Sequence, residues 1–215
     1  MRIAVLGTGE VGRRLASKLV SVGHEVTLGS RSADHTGAKE WAAEHHSAHG
    51  TFAAAAAGAE LVVNATGGLV SLAALEAAGA ENLDGKVLVD VSNPLDFSQG
   101  VPPTVAQPEG ASLAEQIQRA FPGARVVKTL NTMTNTVMVE PSRVPGDHVV
   151  FVCGDDAEAK EVVGGLLKSF GWPDERILDL GDLTGARATE LVLPLWLRLF
   201  GTFGTMDFNF AVPRA

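Results

Sequence analysis

Residues 3–12 read IAVLGTGEVG, an apolar run that leads directly into a glycine-rich turn and then into a helical pattern. The glycines Gly7, Gly9 and Gly12 have the G-x-G-x-x-G spacing of a loop that holds the pyrophosphate of a dinucleotide. The first glycine permits a tight turn, the second lets the backbone approach the phosphates, and the third lets the helix pack closely on the strand. We therefore predict a dinucleotide-binding loop formed by Gly7, Thr8, Gly9, Glu10, Val11 and Gly12.

The alternation of short apolar runs with longer helical patterns continues along the chain. Strands are predicted over residues 3–6, 25–28, 61–65, 87–91, 125–130, 149–153 and 177–180, and helices over 11–22, 39–46, 52–57, 69–78, 112–121, 155–170 and 188–200, the last kinked at Pro194. Ser112 with Glu115 three residues later is predicted to form a capping box, and Asp155 with Glu158 is predicted to cap the following long helix. Residues 99–110 and 131–146 are predicted to be loops. This order indicates an α/β fold with a Rossmann-like, doubly wound, mainly parallel sheet.

The change of rhythm near residue 131 suggests two parts. We predict a dinucleotide-binding Rossmann domain over residues 1–130. Residues 131–215 are predicted to be a small C-terminal α/β extension. The apolar strip 191–196 is interpreted as core or interface rather than as a wall against a ligand.

Composition narrows the function classes. The 215 residues are 46% hydrophobic and 20% charged, with a net charge of −8 and one cysteine. This composition is typical of a folded globular protein. The negative net charge disfavours a nucleic-acid partner. The single cysteine cannot form an internal disulfide. The most apolar stretch is far shorter than the roughly 20 residues of a membrane span, so we expect no membrane partner and a cytoplasmic location.

The second predicted strand is followed by Ser30, Arg31 and Ser32, with no carboxylate at its tip. A carboxylate there would bond the ribose 2′-hydroxyl of NAD, whereas an arginine beside hydroxyl groups suits the 2′-phosphate of NADP. Asp34, slightly further on, is a possible competitor. We predict NADP(H) binding by Ser30, Arg31 and Ser32.

Three further strand ends carry small or polar residues. Ligands in open α/β sheets lie at the carboxyl ends of strands, although the same residue types also favour plain turns. We predict that Thr66, Gly67, Asn93 and Pro94 contact the cofactor, and that Asn131, Thr132 and Met133 line the second-substrate pocket.

No catalytic acid, base or metal site is predicted. The chain has no tyrosine, so it lacks the tyrosine acid of short-chain carbonyl reductases, and Cys153 is interpreted as a small buried residue. The histidines His24, His35, His45, His46 and His49 are interpreted as mostly surface residues, the last three at a solvated helix end, and His148 is interpreted as structural. Hydride transfer to a flavin-like ring requires orientation and shielding of two rings rather than a strong acid.

Several stretches together resemble one family, the NADP oxidoreductases that depend on the deazaflavin coenzyme F420. The similar stretches are residues 2–9, 29–31, 126–132, 152–156, 180–183 and 187–200. Residues 90–93 also look like the cytosolic domains of membrane ferric reductases. The resemblance implies NADP held by Thr8, Ser30 and Arg31 of the NADP-binding domain, with a deazaflavin ring stacked on the nicotinamide. It also implies a homodimer, with the C-terminal part, residues 131–215, completing the second-substrate pocket and forming the dimer interface.

One position departs from that family pattern. Members of the family carry a histidine where Asn131 stands, and Asn131 can still donate a hydrogen bond to a ring carbonyl. We predict hydride transfer between NADP(H) and coenzyme F420. The alternatives are an NADPH-dependent flavin or ferric reductase, with FAD or FMN as second substrate, and a non-catalytic NADP-binding sensor. A reductase of the imine type is disfavoured because the chain after Leu130 is short for its helical domain.

Overall fold

An eight-stranded sheet forms the centre of the protein, in a computed structural model that describes residues 1–100, 102–106 and 110–214. Its strands are β1 (Arg2–Leu6), β2 (Glu25–Ser30), β3 (Ala48–Thr51), β4 (Leu61–Asn64), β5 (Val87–Asp90), β8 (Arg125–Thr129), β9 (Val150–Cys153) and β10 (Ile177–Asp179). Two short strands, β6 (Leu95–Asp96) and β7 (Thr104–Val105), pair separately in antiparallel orientation. The order of strands in the eight-stranded sheet is β3-β2-β1-β4-β5-β8-β9-β10. Within that sheet β8 and β9 pair in antiparallel orientation, and the other neighbouring strands pair in parallel.

The first six strands of that order have the arrangement of a Rossmann fold, with β1 beside both β2 and β4. The strand order reverses between β1 and β4, because the chain leaves β1 towards one edge and returns to the other side for β4. The predicted Rossmann-like, mainly parallel α/β sheet is confirmed. The strands β9 and β10 extend the same sheet beyond residue 130.

Helices cover both faces of the sheet. They are α1 (Glu10–Ser21), α2 (Thr36–Glu44), α3 (Phe52–Gly58), α4 (Ser71–Ala78), α5 (Ala80–Leu83), α6 (Leu113–Ala120), α7 (Asn135–Val139), α8 (Ala157–Phe170), α9 (Ala186–Leu191) and α10 (Leu193–Phe203). Alternate residues of β1 point to opposite faces. Ile3 and Val5 pack with α1, α2, α7 and α8, while Ala4 and Leu6 pack with α3, α4 and α6. Each face therefore has its own core, which makes the sheet doubly wound.

Some predicted elements are wrong in extent or type. The loop predicted over residues 131–146 contains α7, whose Val137 and Met138 are buried against α1 and the sheet. The polar residues around α7 mask this short apolar face, so the spacing did not show a helix. Strand β3 was also missed, because His49 and its polar neighbours hide the alternation.

Two other details differ. Asp156, rather than Asp155, caps α8 by accepting from Ala159 N–H, at 2.8 Å. The loop predicted over residues 99–110 contains β7, and residues 101 and 107–109 of that prediction lie outside the described residues. The helix predicted over residues 188–200, with a kink at Pro194, is two helices in the structure. Val192 separates α9 from α10, and Pro194 lies in the first turn of α10.

The described helices include none long and apolar enough to cross a bilayer. The longest, α8, has 14 residues and carries charged side chains along its length. A bilayer-spanning helix needs about 20 mainly apolar residues.

Replacement of Gly12 tests how closely α1 is packed on β1. A Cβ at this position would lie 2.0 Å from the Gly7 carbonyl oxygen, so Gly12→Ala should lower the free energy of unfolding by about 1–3 kcal/mol. The control is Gly164→Ala in α8, where a Cβ meets nothing within 4 Å and where alanine should add about 0.5–1 kcal/mol. Urea unfolding of both variants measures the difference, and equal stabilities would contradict the packing argument.

Candidate active site

Two adjoining cavities lie at the carboxyl ends of the parallel strands. The first, about 600 Å³, is bordered by the glycine-rich loop, the end of β2 and α4. The second, about 450 Å³, lies beyond it, between the ends of β4, β5 and β8 and the helix α10. Both are lined by Ala65, Thr66, Gly67 and Val70, so they form one continuous cleft at the reversal of strand order. That is where ligands of open α/β sheets bind.

The three glycines of the loop are explained by different constraints. Gly7 has φ +122°, and a Cβ there would lie 2.4 Å from the Ala65 carbonyl oxygen. A Cβ at Gly12 would lie 2.0 Å from the Gly7 carbonyl oxygen. The fold alone therefore requires glycine at both positions. Gly9 is exposed at the start of α1 and a Cβ there would meet no atom within 4 Å. Its lack of a side chain leaves open space in front of the helix N-terminus, where backbone N–H groups favour an anion.

The far end of the first cavity is cationic. Arg31 is exposed and lines the cavity, and its guanidinium forms no ion pair with any other residue that the structure describes. Asp34, the possible competitor, is paired instead with Lys39, with 2.6 Å between carboxylate oxygen and ammonium nitrogen. The Asp34 carboxylate is thus held in a surface ion pair with Lys39, and the Arg31 guanidinium is available to a phosphate.

The two serines beside Arg31 shape the turn. Ser30 is buried and its hydroxyl donates to the Ser32 carbonyl, at 2.6 Å. The Ser32 hydroxyl accepts from Asp34 N–H, at 3.2 Å, and Ser32 does not line the cavity. These bonds hold the loop that presents Arg31.

His35 is a site residue that sequence reasoning missed. Its Nδ1 accepts from Ala38 N–H, at 3.2 Å, and so caps α2. The ring proton therefore resides on Nε2, which lies 3.2 Å from the Thr8 hydroxyl. His35 thereby joins the glycine-rich loop to the turn after β2 and lines the first cavity. Its position just before a helix start was the available signal.

The second cavity has uncharged walls. Its described lining contains no Asp, Glu, His, Lys, Arg or Cys side chain. Leu193, Trp196 and Leu197 of α10 form one wall, and Met133 and Met138 lie among the residues opposite. Leu193 and Trp196 of strip 191–196 line this cavity, and Leu193 is also buried in the core, whereas Leu191 and Leu195 are exposed. The interpretation of the strip as core or interface rather than a ligand wall stays a prediction.

The polar floor of this cavity is a reciprocal amide pair. The side-chain nitrogen Nδ2 of Asn131 donates to Asn93 Oδ1, at 2.9 Å. In return, Asn93 Nδ2 donates to the backbone carbonyl oxygen of Asn131, at 2.7 Å. Asn131 Nδ2 also donates to the Thr189 carbonyl, at 3.0 Å. Both amide hydrogens of Asn131 are used within the protein, so the expectation that Asn131 donates to a ring carbonyl does not fit this geometry. Its contacts tie together two strand ends and α9.

The cleft brings together most of the predicted site residues. The residues that line it are Gly7, Thr8, Gly9, Val11, Ser30, Arg31, Thr66, Gly67, Asn93, Asn131 and Met133. Those that do not are Glu10 and Ser32, which are exposed elsewhere, and Gly12, Pro94 and Thr132, which are buried. These cleft residues come from the ends of different strands, and they lie close together because parallel strands end at the same edge of the sheet.

A buried ionic cluster lies behind the second cavity, and sequence reasoning missed it. Lys128 Nζ lies 2.8 Å from Asp90 Oδ2 and 3.0 Å from Glu190 Oε1, and all three side chains have no solvent exposure. Burial by itself lowers the pKa of Lys128, but the attraction of Asp90 and Glu190 outweighs it and holds the pKa above its ordinary value. The lysine therefore stays charged. An isolated lysine at a strand end gave no signal that two carboxylates approach it.

The remaining reactive side chains lie away from the cleft. Burial raises the pKa of the Cys153 thiol to about 12, so the thiolate is not populated near neutrality. His45 is the C-cap of α2, stacks on Trp41 and contacts the Ser17 hydroxyl, and the exposed His46 follows it. The prediction of a solvated helix end is wrong for His49, which lies in β3. The described residues contain no cluster of three or more His, Cys, Asp or Glu side chains suited to a metal ion.

Comparisons with known proteins agree with this geometry. Residues 2–94 match the family model described as NADP oxidoreductase, coenzyme F420-dependent. A crystal structure of a protein from Arthrobacter sp. FB24, provisionally assigned as an F420-dependent NADP reductase, is 56% identical, with a TM-score of 0.94 and coverage of 100% of both chains.

Two curated relatives share lower identity. The F420-dependent NADP reductase of Methanothermobacter thermautotrophicus is 31% identical, over 93% of this chain and 89% of the relative. Metalloreductase STEAP3 of Rattus norvegicus is also 31% identical, over 91% of this chain, but the match spans only 38% of that longer protein. The chain belongs to the family of coenzyme F420-dependent NADP oxidoreductases.

Proposed function

We propose that the protein is an oxidoreductase that transfers a hydride between NADP(H) and the deazaflavin coenzyme F420. The observation that carries this proposal is the continuous cleft. One end has the glycine-rich loop and Arg31, whose guanidinium has no ion-pair partner among the described residues, and the described lining of the other end is uncharged. Family membership supports the same reaction.

The first cavity suits the adenosine half of NADP(H). The open space at Gly9 and the N-terminus of α1 fit a pyrophosphate. Arg31 offers a guanidinium for a 2′-phosphate, and His35 Nε2 and the Thr8 hydroxyl lie beside the same cavity. The pairing of Asp34 with Lys39 removes the carboxylate that would favour NAD.

The second cavity suits a flat, uncharged ring. Trp196, Leu193 and Leu197 provide an apolar wall that excludes water from the reacting groups. When bound, NADPH supplies a hydride from its nicotinamide ring to the ring of the acceptor. The described lining has no titratable side chain to protonate a carbonyl or imine product, so its residues bind and orient the rings rather than act as an acid or base.

The proposal extends to oligomeric state and location. Leu191, Leu195, Phe203 and Met206 are all large apolar residues that are about half exposed, and all belong to or follow α9 and α10. Contiguous exposed apolar surface is typical of a protein interface. This supports a homodimer formed through the C-terminal part, residues 131–215. The location that we propose is the cytoplasm.

A second candidate is an NADPH-dependent flavin or ferric reductase. The match to STEAP3, a metalloreductase by name, covers nearly all of this chain and favours it. The uncharged second cavity accepts a flavin ring as readily as a deazaflavin, because both rings are flat and accept a hydride. The two candidates share the first cavity and differ only in the acceptor.

Loss of the arginine should affect the two nicotinamide cofactors differently. A hydrogen bond to a charged group contributes about 1.5–3 kcal/mol, so Arg31→Ala should weaken NADPH binding about 10- to 100-fold. NADH, which has no 2′-phosphate, should bind the variant and the unchanged protein equally. Titration calorimetry with each nucleotide measures the effect. The control is Arg119→Ala, an exposed arginine of α6, and equal losses for NADPH and NADH would contradict the assignment.

A side chain at Gly9 should block binding without harming the fold. Gly9→Ala places a methyl group in open space, so thermal stability should stay within about 0.5 kcal/mol of the original. NADPH affinity should fall at least about tenfold, because the methyl group occupies the approach of the pyrophosphate. Gly164→Ala serves as the control, with unchanged affinity. Tight NADPH binding by Gly9→Ala would mean that the loop is only a structural turn.

The acceptor is identified by turnover. Oxidation of NADPH is followed with coenzyme F420, with FMN, with FAD and with a ferric chelate in parallel. Turnover with F420 and little with the others supports the leading proposal. Turnover confined to flavin or iron moves the protein to the second candidate, and tight NADPH binding with no turnover contradicts both.

A further inference from the structure

The helix α9 is attached to the sheet by buried polar contacts on two successive residues. The Thr189 carbonyl accepts from Asn131 Nδ2, at 3.0 Å. The carboxylate of Glu190, which is fully buried, lies 3.0 Å from Lys128 Nζ. It also accepts from the N–H groups of Leu113 and Ala114 at the start of α6, at 2.8 and 3.2 Å. One turn of α9 thus contacts the end of β8 and the start of α6.

Lys128 extends this attachment to the neighbouring strand. Its ammonium donates to Asp90 Oδ2, at 2.8 Å, and to the Ser92 carbonyl, at 2.6 Å. The other Asp90 oxygen accepts from the Ser92 hydroxyl and from Asn64 Nδ2, at 2.6 and 2.9 Å. The ends of β4, β5 and β8 and the helix α9 are therefore joined through one ammonium group and two carboxylates.

The elements joined in this way are those that shape the second cavity. Ser92, Asn93 and Asn131, directly beside the ionic residues, form its floor. Helix α9 leads through Val192 into α10, whose Leu193 and Trp196 form its wall. Asp90, Lys128 and Glu190 themselves line neither cavity. They cannot touch a bound substrate, so any effect on the reaction acts through the position of floor and wall.

Stability alone is a weak reason for this cluster. Desolvation of buried charges largely offsets their attraction, and apolar residues of similar volume often stabilise a core as well or better. A buried ion pair does fix distances and angles between the elements that carry it. Leu130, between Lys128 and Asn131, has φ +62°, a left-handed conformation that a leucine adopts only when its surroundings hold it there. The backbone is thus held in a strained shape beside the cavity floor.

We infer that Lys128 and Glu190 are a positioning pair, which sets the separation between the floor of the second cavity and its α10 wall for the acceptor ring. The inference rests on the proposed hydride transfer. Since the pair lies behind the second cavity, its loss should impair use of the acceptor and leave NADPH binding at the first cavity unchanged.

Glu190→Gln tests the inference, because it removes the charge and keeps the volume. We expect the KM for the acceptor to rise, or kcat to fall, at least tenfold, with the NADPH dissociation constant within twofold. The pH profile of kcat should keep its shape, because the pair is a buried positioning element and not an acid or base. Glu190→Asp keeps the charge and shifts the carboxylate by one methylene, so it should be intermediate and serves where Glu190→Gln does not fold.

The matched control is Arg187→Ala on the same helix. It removes the surface pairing of Arg187 Nε with Glu115 Oε2, at 2.8 Å, which also joins α9 to α6. That variant loosens the same helix without touching Lys128, and it should change acceptor kinetics less than twofold. An equal effect of Arg187→Ala and Glu190→Gln would overturn the specific role of the buried pair.

Hydrogen exchange provides a readout that does not depend on activity. In Glu190→Gln, amide exchange over residues 186–203 should become at least tenfold faster, while α1 and β1 exchange at the original rate. Faster exchange throughout the protein, or weakened NADPH binding in the same proportion as the acceptor effect, would show a general stability role and overturn the inference. So would unchanged exchange and turnover. If the unaltered protein reduces no acceptor, the proposed function fails while the exchange result still decides whether the pair positions α10.

Discussion

The contact between Gly12 and the carbonyl of Gly7 is the constraint on which the arrangement of the site depends. It brings the first turn of α1 against the end of β1 with no room for a side chain. The helix N-terminus is thereby aimed at the carboxyl edge of the sheet, next to the reversal of strand order. The first cavity opens at that place, and Gly9 leaves it accessible. The same sheet geometry delivers the ends of β4, β5 and β8 to the adjoining cavity.

Charge is distributed unequally along the cleft, as the proposed site for two substrates requires. The Arg31 guanidinium, which has no ion-pair partner in the described part of the chain, lies at one end, where a phosphate is expected. The other end has uncharged walls, although three charged side chains are buried close behind it. Each of those side chains is paired within the cluster and is also bonded to backbone or other side-chain groups. In the proposed function an acceptor ring in this cavity would be surrounded by apolar and amide groups, and the inferred role of the ionic cluster is to hold those groups in place.

Local sequence patterns predicted much of the fold correctly. The glycine-rich loop, the strands beside it, the capping box of Ser112 with Glu115 and the interruption before α10 all depend on contacts within a few residues. The errors have one cause. Strand β3 and helix α7 are short, and their own patterns are weak, so they form because the neighbouring strand or α1 gives their apolar side chains a surface to pack on. Asp156 replaced Asp155 as a cap because Asp155 bonds Leu183 N–H instead.

The sequence by itself determined the glycine-rich turn between β1 and α1, the residue types at the strand ends and the α/β order, because each of these is encoded in neighbouring residues. The tertiary structure alone decided the partners of Asn131, the closure of the second cavity by Trp196 and the burial of Lys128 between two carboxylates. Glu190 bonds the start of α6 from 77 residues away. No local pattern carries such a pairing, since it arises only when the parallel strands end at one edge and α9 folds back across them.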